Sequence, residues 1–178
     1  MLKYILSVPV IIFPYTLLLG MYCLYAPTIM ETVFKSNVIL LAGALALFGA
    51  AAFAFSCIVG MVVIVKANDA LAAARLNMII KLIHMPAYVA IFVLGMAFFV
   101  TVFGIPFVLF FVLFDCAAIA MSGIIGASSV IRGFLEGRLD RASAITFAIM
   151  GFVFVGDIVV GIMNYVALKR SRRGKTAA

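Results

Sequence analysis

The sequence predicts an all-α integral membrane protein: a bundle of about five transmembrane helices, with four as the alternative, and a short amphipathic helix at the membrane surface. Composition is the first reason, because 68% of the residues are hydrophobic and 11% are charged, against about 45–50% and about 25% in soluble domains. The second reason is a series of apolar stretches of transmembrane length. These stretches do not alternate apolar with polar residues, so they indicate helices and not the strands of a barrel.

The first predicted span covers residues 4–25. Pro9 and Pro14 lie inside it and are expected to kink or distort the helix, because proline removes a backbone donor. A cut after Ala26 would leave Leu24 where a signal peptidase requires a small residue. We therefore interpret the segment as a retained span.

The second predicted span covers residues 38–65, which carry no charge. Alanines recur in it at every fourth position, at Ala42, Ala46, Ala50 and Ala54. Such a small-xxx-small face lets another helix approach closely. The pattern indicates tight packing without naming the partner.

Residues 66–85 are amphipathic, and Asn68 or Asp69 could cap the start of their helix. One polar stripe runs along it, formed by Asn77, Lys81, His84 and Tyr88. We interpret this stripe as the wet face of an interfacial helix, with Lys81 near the lipid headgroups. The alternative is a binding edge for headgroups or anions.

From residue 85 to residue 131 the only charge is Asp115. One helix of that length would measure about 70 Å, against a hydrocarbon core of about 30 Å. A break at Gly104-Ile105-Pro106 therefore predicts two spans, 86–103 and 107–131.

A polar loop follows. The last predicted span is 143–168, residues 1–168 form one transmembrane domain, and residues 169–178 are a basic, disordered tail.

The charges do not decide the orientation of this chain. With five spans, one side of the membrane holds seven basic residues and the other holds six. The positive-inside rule does not distinguish the two orientations on so small a difference. A four-span arrangement, with part of 85–131 re-entrant, would place nine basic residues against four. Five spans account better for the long apolar run and are the prediction.

Two carboxylates lie inside the apolar spans, Asp115 and Asp157. Asp115 shares a helical face with Ser122, and Asp157 shares one with Asn164. The two faces predict a polar seam within the bundle, in which the carboxylates could share a proton. Intramembrane ionisable residues often mark ion or proton pathways. The competing interpretation is structural, with each carboxylate hydrogen-bonded to a neighbouring helix.

Several function classes find no support in the sequence. The net charge is +7, but the basic residues flank apolar spans and do not form the basic-aromatic clusters of a nucleic-acid interface. The cysteines are widely spaced within apolar runs, and one histidine with no HExxH or Cys/His cluster predicts no metal site. No GxSxG, P-loop or Rossmann pattern is present, so the chain is predicted to be no enzyme and to need no cofactor.

These observations predict a non-enzymatic accessory component of a cell membrane, multi-pass, of the bacterial inner-membrane type. Its partners would be membrane lipids and either a second copy or another membrane protein, which would pack on its small-residue faces. The alternative is a small proton-coupled transporter or permease that uses Asp115 and Asp157.

Overall fold

The computed structural model describes residues 2–66, 70–101, 104–154 and 156–176, and the elements in these ranges are all α-helices. The eight helices in these ranges are α1 Leu2–Leu6, α2 Val8–Tyr25, α3 Pro27–Thr32, α4 Val38–Val65, α5 Ala70–Phe99, α6 Ile105–Leu135, α7 Arg141–Met150 and α8 Gly156–Thr176. The helices α1 and α2 together form the first span, and the short α3 follows them.

Four helical segments in the described part of the chain are long and apolar enough to cross a membrane: Lys3–Tyr25, Val38–Val65, Ala70–Phe99 and Ile105–Leu135. The all-helical class is confirmed, with four long apolar helices in the described residues where five spans are predicted. Residues 85–99 and 105–131 lie in α5 and α6, both long enough to cross, so the four are not those of the arrangement with a re-entrant segment in 85–131. The break predicted at Gly104 is also present. A Cβ at this glycine would lie 1.9 Å from the Phe98 carbonyl oxygen, so the turn between α5 and α6 requires glycine.

The predicted interfacial helix is corrected by the structure. Residues 70–85 are the first half of α5, which continues without a break through Pro86 to Phe99. The predicted span 86–103 is therefore the second half of a longer helix. Its polar stripe lies inside the bundle because Asn77, Lys81 and His84 are all buried. The caps proposed at Asn68 and Asp69 lie outside the described residues.

The last predicted span, 143–168, is corrected to two helices. The chain leaves helical geometry after Met150 and resumes it at Gly156. Leu139, before α7, and Leu168, near the end of the predicted span in α8, both pack at Gly133 of α6. Because the two ends of the segment meet at one level of α6, α7 and α8 form a helical hairpin.

The neighbouring helices place both chain ends at one end of the bundle. α2 is antiparallel to α4, since Phe13 packs at Gly49 while Gly20 packs at Leu45. α4 is parallel to α6, because Ser56 donates a hydrogen bond to the Met121 carbonyl and the Arg132 guanidinium donates one to the Ile64 carbonyl, 3.2 Å away. The start of α2 and the ends of α4, α6 and α8 therefore lie together.

The apolar core lies between α2, α4, α5 and α6. Phe13 and Phe114 stack in it with their ring centroids 4.3 Å apart. A smaller cluster around Val130 and Leu168 holds the base of the α7–α8 hairpin against α5 and α6. α8 continues to Thr176, so it extends into the segment that we predicted to be a disordered tail.

Candidate functional site

The tip of the α7–α8 hairpin closes on a buried lysine. Lys81 Nζ donates a hydrogen bond to Asp157 Oδ2 at 2.8 Å, and both side chains are 1% exposed. The same ammonium donates to the Gly151 carbonyl at 3.3 Å and to Ser122 Oγ at 3.4 Å. Lys81 thus binds both sides of the hairpin tip and the facing helix α6.

The break in the last helix creates this arrangement. Gly151 follows the end of α7, where carbonyl groups lack helical partners and carry partial negative charge. Asp157 lies in the first turn of α8, where the helix dipole favours a carboxylate. Lys81 therefore meets the partial negative charge at the end of α7 and the carboxylate at the start of α8, two groups that an unbroken helix would not present side by side.

Two glycines make room for the polar side chains of α5. A Cβ at Gly161 of α8 would lie 2.9 Å from Lys81 Cδ. A Cβ at Gly126 of α6 would lie 2.8 Å from Asn77 Nδ2. Any larger residue at these positions would displace the side chains, so the glycines let α6 and α8 approach the polar face of α5.

A second polar contact joins α8 to α6 nearer the hairpin base. Asn164 Nδ2 donates to Ser129 Oγ at 2.8 Å, and Ser129 Oγ donates to the Gly126 carbonyl at 2.7 Å. Ser122, on the same face of α6, donates to the Ile119 carbonyl at 3.1 Å. The polar seam predicted between α6 and α8 is therefore present, with α5 as its third wall.

His84 hydrogen-bonds a backbone carbonyl of α2 that Pro14 leaves without a helical donor. Pro14 has no N–H, so the Val10 carbonyl four residues earlier has no helical donor. His84 Nε2 lies 3.0 Å from that carbonyl oxygen, and Nδ1 lies 3.3 Å from the Tyr88 hydroxyl. The tautomer that fits carries its proton on Nε2 and accepts from Tyr88 on Nδ1.

Asp115 does not join the ion pair. Asp115 lines a cavity between α5, α6 and the hairpin tip, and among the described residues no hydrogen bond joins it to Asp157. Tyr88 lies within electrostatic range of both carboxylates. A proton shared between the two aspartates was one possibility that the sequence left open, and in the structure Asp157 pairs with Lys81 instead.

Four site residues each present a buried oxygen that has no hydrogen-bond partner among the described residues. These atoms are Oδ1 of Asn77, Asp115, Asp157 and Asn164. Unpaired acceptors are costly in a dry interior, so the site has unused capacity to accept hydrogen bonds. In the part of the chain that the structure describes, no three His, Cys, Asp or Glu side chains group as metal ligands would.

Sequence reasoning identified the members of this site but not their grouping. Of the predicted seam residues, Asp157 and Ser122 both contact Lys81, and Asn164 contacts Ser129. The predicted position of the stripe at the membrane surface is wrong. Its residues Asn77, Lys81, His84 and Tyr88 are buried, with Lys81 against Ser122 of α6 and His84 against α2. Gly151 was missed. The glycines that flank the break, Gly151 and Gly156, were the available signal.

Comparison with protein-family models, with curated proteins and with solved structures finds no match to this chain.

Proposed function

We propose that this chain is a small proton-coupled membrane transporter, and that Lys81 and Asp157 form its charge-carrying centre. The observation that supports this proposal most strongly is the broken helix whose two ends converge on a buried lysine. Discontinuous helices that direct their ends at a charged group near the bilayer centre are typical of transporter sites. Ionisable residues at such depth are otherwise rare.

The dimensions of the hairpin support a re-entrant element. α7 has 10 residues and so measures about 15 Å, half of a hydrocarbon core of about 30 Å. Its tip packs beside the middle of α6, where a Cβ at Gly123 would lie 2.7 Å from the Phe152 ring. Non-helical backbone at that depth is tolerated only where protein or a water-filled cavity surrounds it.

The charges support one orientation once the hairpin is counted as re-entrant. Eleven of the 13 basic residues then lie at the end of the bundle that holds both termini. The other two are Lys35 at the opposite end and Lys81 in the site. By the positive-inside rule the termini face the cytoplasm, as expected for a multi-pass protein of a cell membrane of the bacterial inner-membrane type.

A purely structural role explains the ion pair less well. Interhelical hydrogen bonds in membranes contribute on average only about 0.6 kcal/mol. Replacing a buried ion pair with apolar residues of similar size is often neutral or stabilising by about 1–4 kcal/mol. Packing alone would thus be served better by apolar side chains at positions 81 and 157.

The proposed mechanism uses the proton as a switch. When Asp157 takes up a proton, its carboxyl loses its charge and most of its attraction to Lys81. Of its two polar contacts with Lys81, the hairpin tip then keeps the weaker one, from the ammonium to the Gly151 carbonyl. Release of the tip opens the centre, and loss of the proton draws it closed again.

The test is proton flux into liposomes that contain the purified chain and a pH-sensitive dye. We expect Lys81→Met/Asp157→Leu to fold with wild-type stability or better, and to lose proton flux. The matched control is Arg132→Met/Glu136→Leu. It removes the ion pair between Arg132 Nε and Glu136 Oε1, which are 3.0 Å apart. This pair lies away from the hairpin tip, so the control should retain flux. Full proton flux in the folded Lys81/Asp157 double variant would refute the proposal.

A second candidate function, an accessory component that packs on another membrane helix, rests on α4. Its alanines Ala42, Ala46, Ala50 and Ala54 are all exposed, so the chain leaves its small-xxx-small face uncovered. Such faces support close helix association. For this function, Ala46→Leu/Ala50→Leu should abolish cross-linking to a second copy or to a membrane partner, while Ala51→Leu, also exposed, should not.

A further inference from the structure

We propose that the cavity beside Asp115 is a binding site for a lipophilic organic cation, such as a protonated or quaternary amine with apolar substituents. This inference concerns a site apart from the Lys81–Asp157 centre and does not rest on the proposed function. The cavity has a volume of about 310 Å³, within the range of ligand pockets. A cavity of about 150 Å³ suffices for benzene.

The cavity has one polar group of consequence and an apolar wall. Asp115 is only 9% exposed, and its Oδ1 has no hydrogen-bond partner among the described residues. Four aromatic residues line the cavity together with Asp115: Phe92, Phe99, Phe111 and Phe154. A carboxylate without a partner in such surroundings is stabilised either by a proton or by a positive charge, and a cation in the cavity would supply the charge.

The chemistry of the wall decides which cation fits. A divalent metal ion needs about six oxygen ligands, and Asp115 is the one carboxylate among the described lining residues. Aromatic faces attract ammonium groups, and they also pack against apolar substituents. The wall therefore selects an organic cation over a hydrated inorganic one.

The side of the cavity away from the bundle core is open. Phe92 and Phe99 are 59% and 64% exposed, and Met96 between them is 52% exposed. All three lie on α5 in a segment apolar enough to cross the membrane. A ligand that partitions into the lipid could therefore enter the cavity sideways, between these side chains.

A native cysteine reports on occupancy. Cys116 lines the cavity and is exposed, whereas Cys23 is buried and Cys57 is half-buried. In a Cys23→Ala/Cys57→Ala background, the rate of alkylation by N-ethylmaleimide measures access to Cys116. The probes are phenyltrimethylammonium and its neutral analogue of the same shape, tert-butylbenzene.

We expect phenyltrimethylammonium to slow alkylation of Cys116, with half-protection at a concentration about tenfold or more below that of tert-butylbenzene, or about 1.4 kcal/mol. Asp115→Asn should remove this difference by weakening the cation alone. No protection by the cation in the wild-type cavity, or equal protection in folded Asp115→Asn, would overturn the proposal.

A second variant keeps the test decisive if Asp115→Asn does not fold. A Cβ at Gly95 would make only an ordinary contact, 3.8 Å from Phe111 Cδ2, so Gly95→Leu should fill the cavity while Asp115 stays in place. Both probes should then fail to protect Cys116. Gly43→Leu, where a Cβ meets nothing within 4 Å, is the matched control. Unchanged protection in Gly95→Leu would place the cation elsewhere and refute the site.

Discussion

His84 is predicted to be needed because Pro14 is present, and this dependence can be measured. His84→Leu keeps a similar volume but leaves the Val10 carbonyl of α2 without a donor. An unsatisfied buried acceptor costs about 1–3 kcal/mol, so the free energy of unfolding should fall by about that amount. Equilibrium unfolding in mixed micelles measures it.

The companion change supplies the missing donor from within α2. Pro14→Ala provides an N–H four residues after Val10, which restores the helical hydrogen bond. In the Pro14→Ala background, His84→Leu should therefore cost less than about 1 kcal/mol. The coupling between the two positions should be about 1–2 kcal/mol, within the range of residues that share a partner.

Tyr88→Phe provides the control for this cycle, since it removes the contact of 3.3 Å on the other nitrogen of His84 and leaves the Val10 carbonyl bonded. It should show no such coupling to Pro14→Ala. An equal cost of His84→Leu with proline and with alanine at position 14 would refute the reasoning, because His84 would then act independently of the freed carbonyl.

Two further predictions concern packing and the hairpin start. Gly126→Ala should lower the free energy of unfolding by about 1–3 kcal/mol, because the new Cβ would lie 2.8 Å from Asn77 Nδ2. The control is Gly43→Ala, which has open space around it and should be neutral or slightly stabilising in the same assay. Asp140 caps α7 by accepting from the Ser143 N–H at 3.0 Å, and hydrogen bonds to Ser143 hold the pKa of its carboxylate below the ordinary value. A lowered folded-state pKa gives stability that is present above about pH 4, the unfolded value, and is lost as pH falls through the folded value. Acidification should therefore lower the protection factors of the α7 amides (their exchange measured relative to the intrinsic rate at each pH) in the wild type. The Asp140→Asn variant, which keeps a cap without the charge, should remove this pH dependence of the protection factors.

The class of this fold follows from hydropathy, because long uncharged runs such as 38–65 have few alternatives to membrane helices. The length of the run 85–131 and its Gly104-Ile105-Pro106 signal located the break near Gly104. What hydropathy could not assign is the medium that each face of a helix meets. The Lys81 stripe has the same periodicity at a wet membrane surface as against a polar seam inside the bundle, and only the position of α8 distinguishes the two.

The pairing within the site was harder to predict for a similar reason. Asp115 and Asp157 both lie on helical faces with small and hydrogen-bonding residues inside apolar runs, so the sequence suggested that the two faces meet. The helix break after Gly151 instead turns α8 so that Asp157 meets Lys81 and Asp115 is left in its own cavity. One interrupted helix changes every partner downstream of it, and a pattern read with an unbroken helix cannot anticipate that change.

The distance between Lys81 and Asp157 along the chain has a consequence for biosynthesis. The two residues are 76 positions apart, so at about 5–20 residues per second the ribosome needs about 4–15 s to reach the aspartate after the lysine. During that interval α5 must insert with an unneutralised ammonium. We expect the α7–α8 hairpin to supply the partner of this ammonium only after α5 has entered the membrane, so a segment translated later stabilises the third long helix.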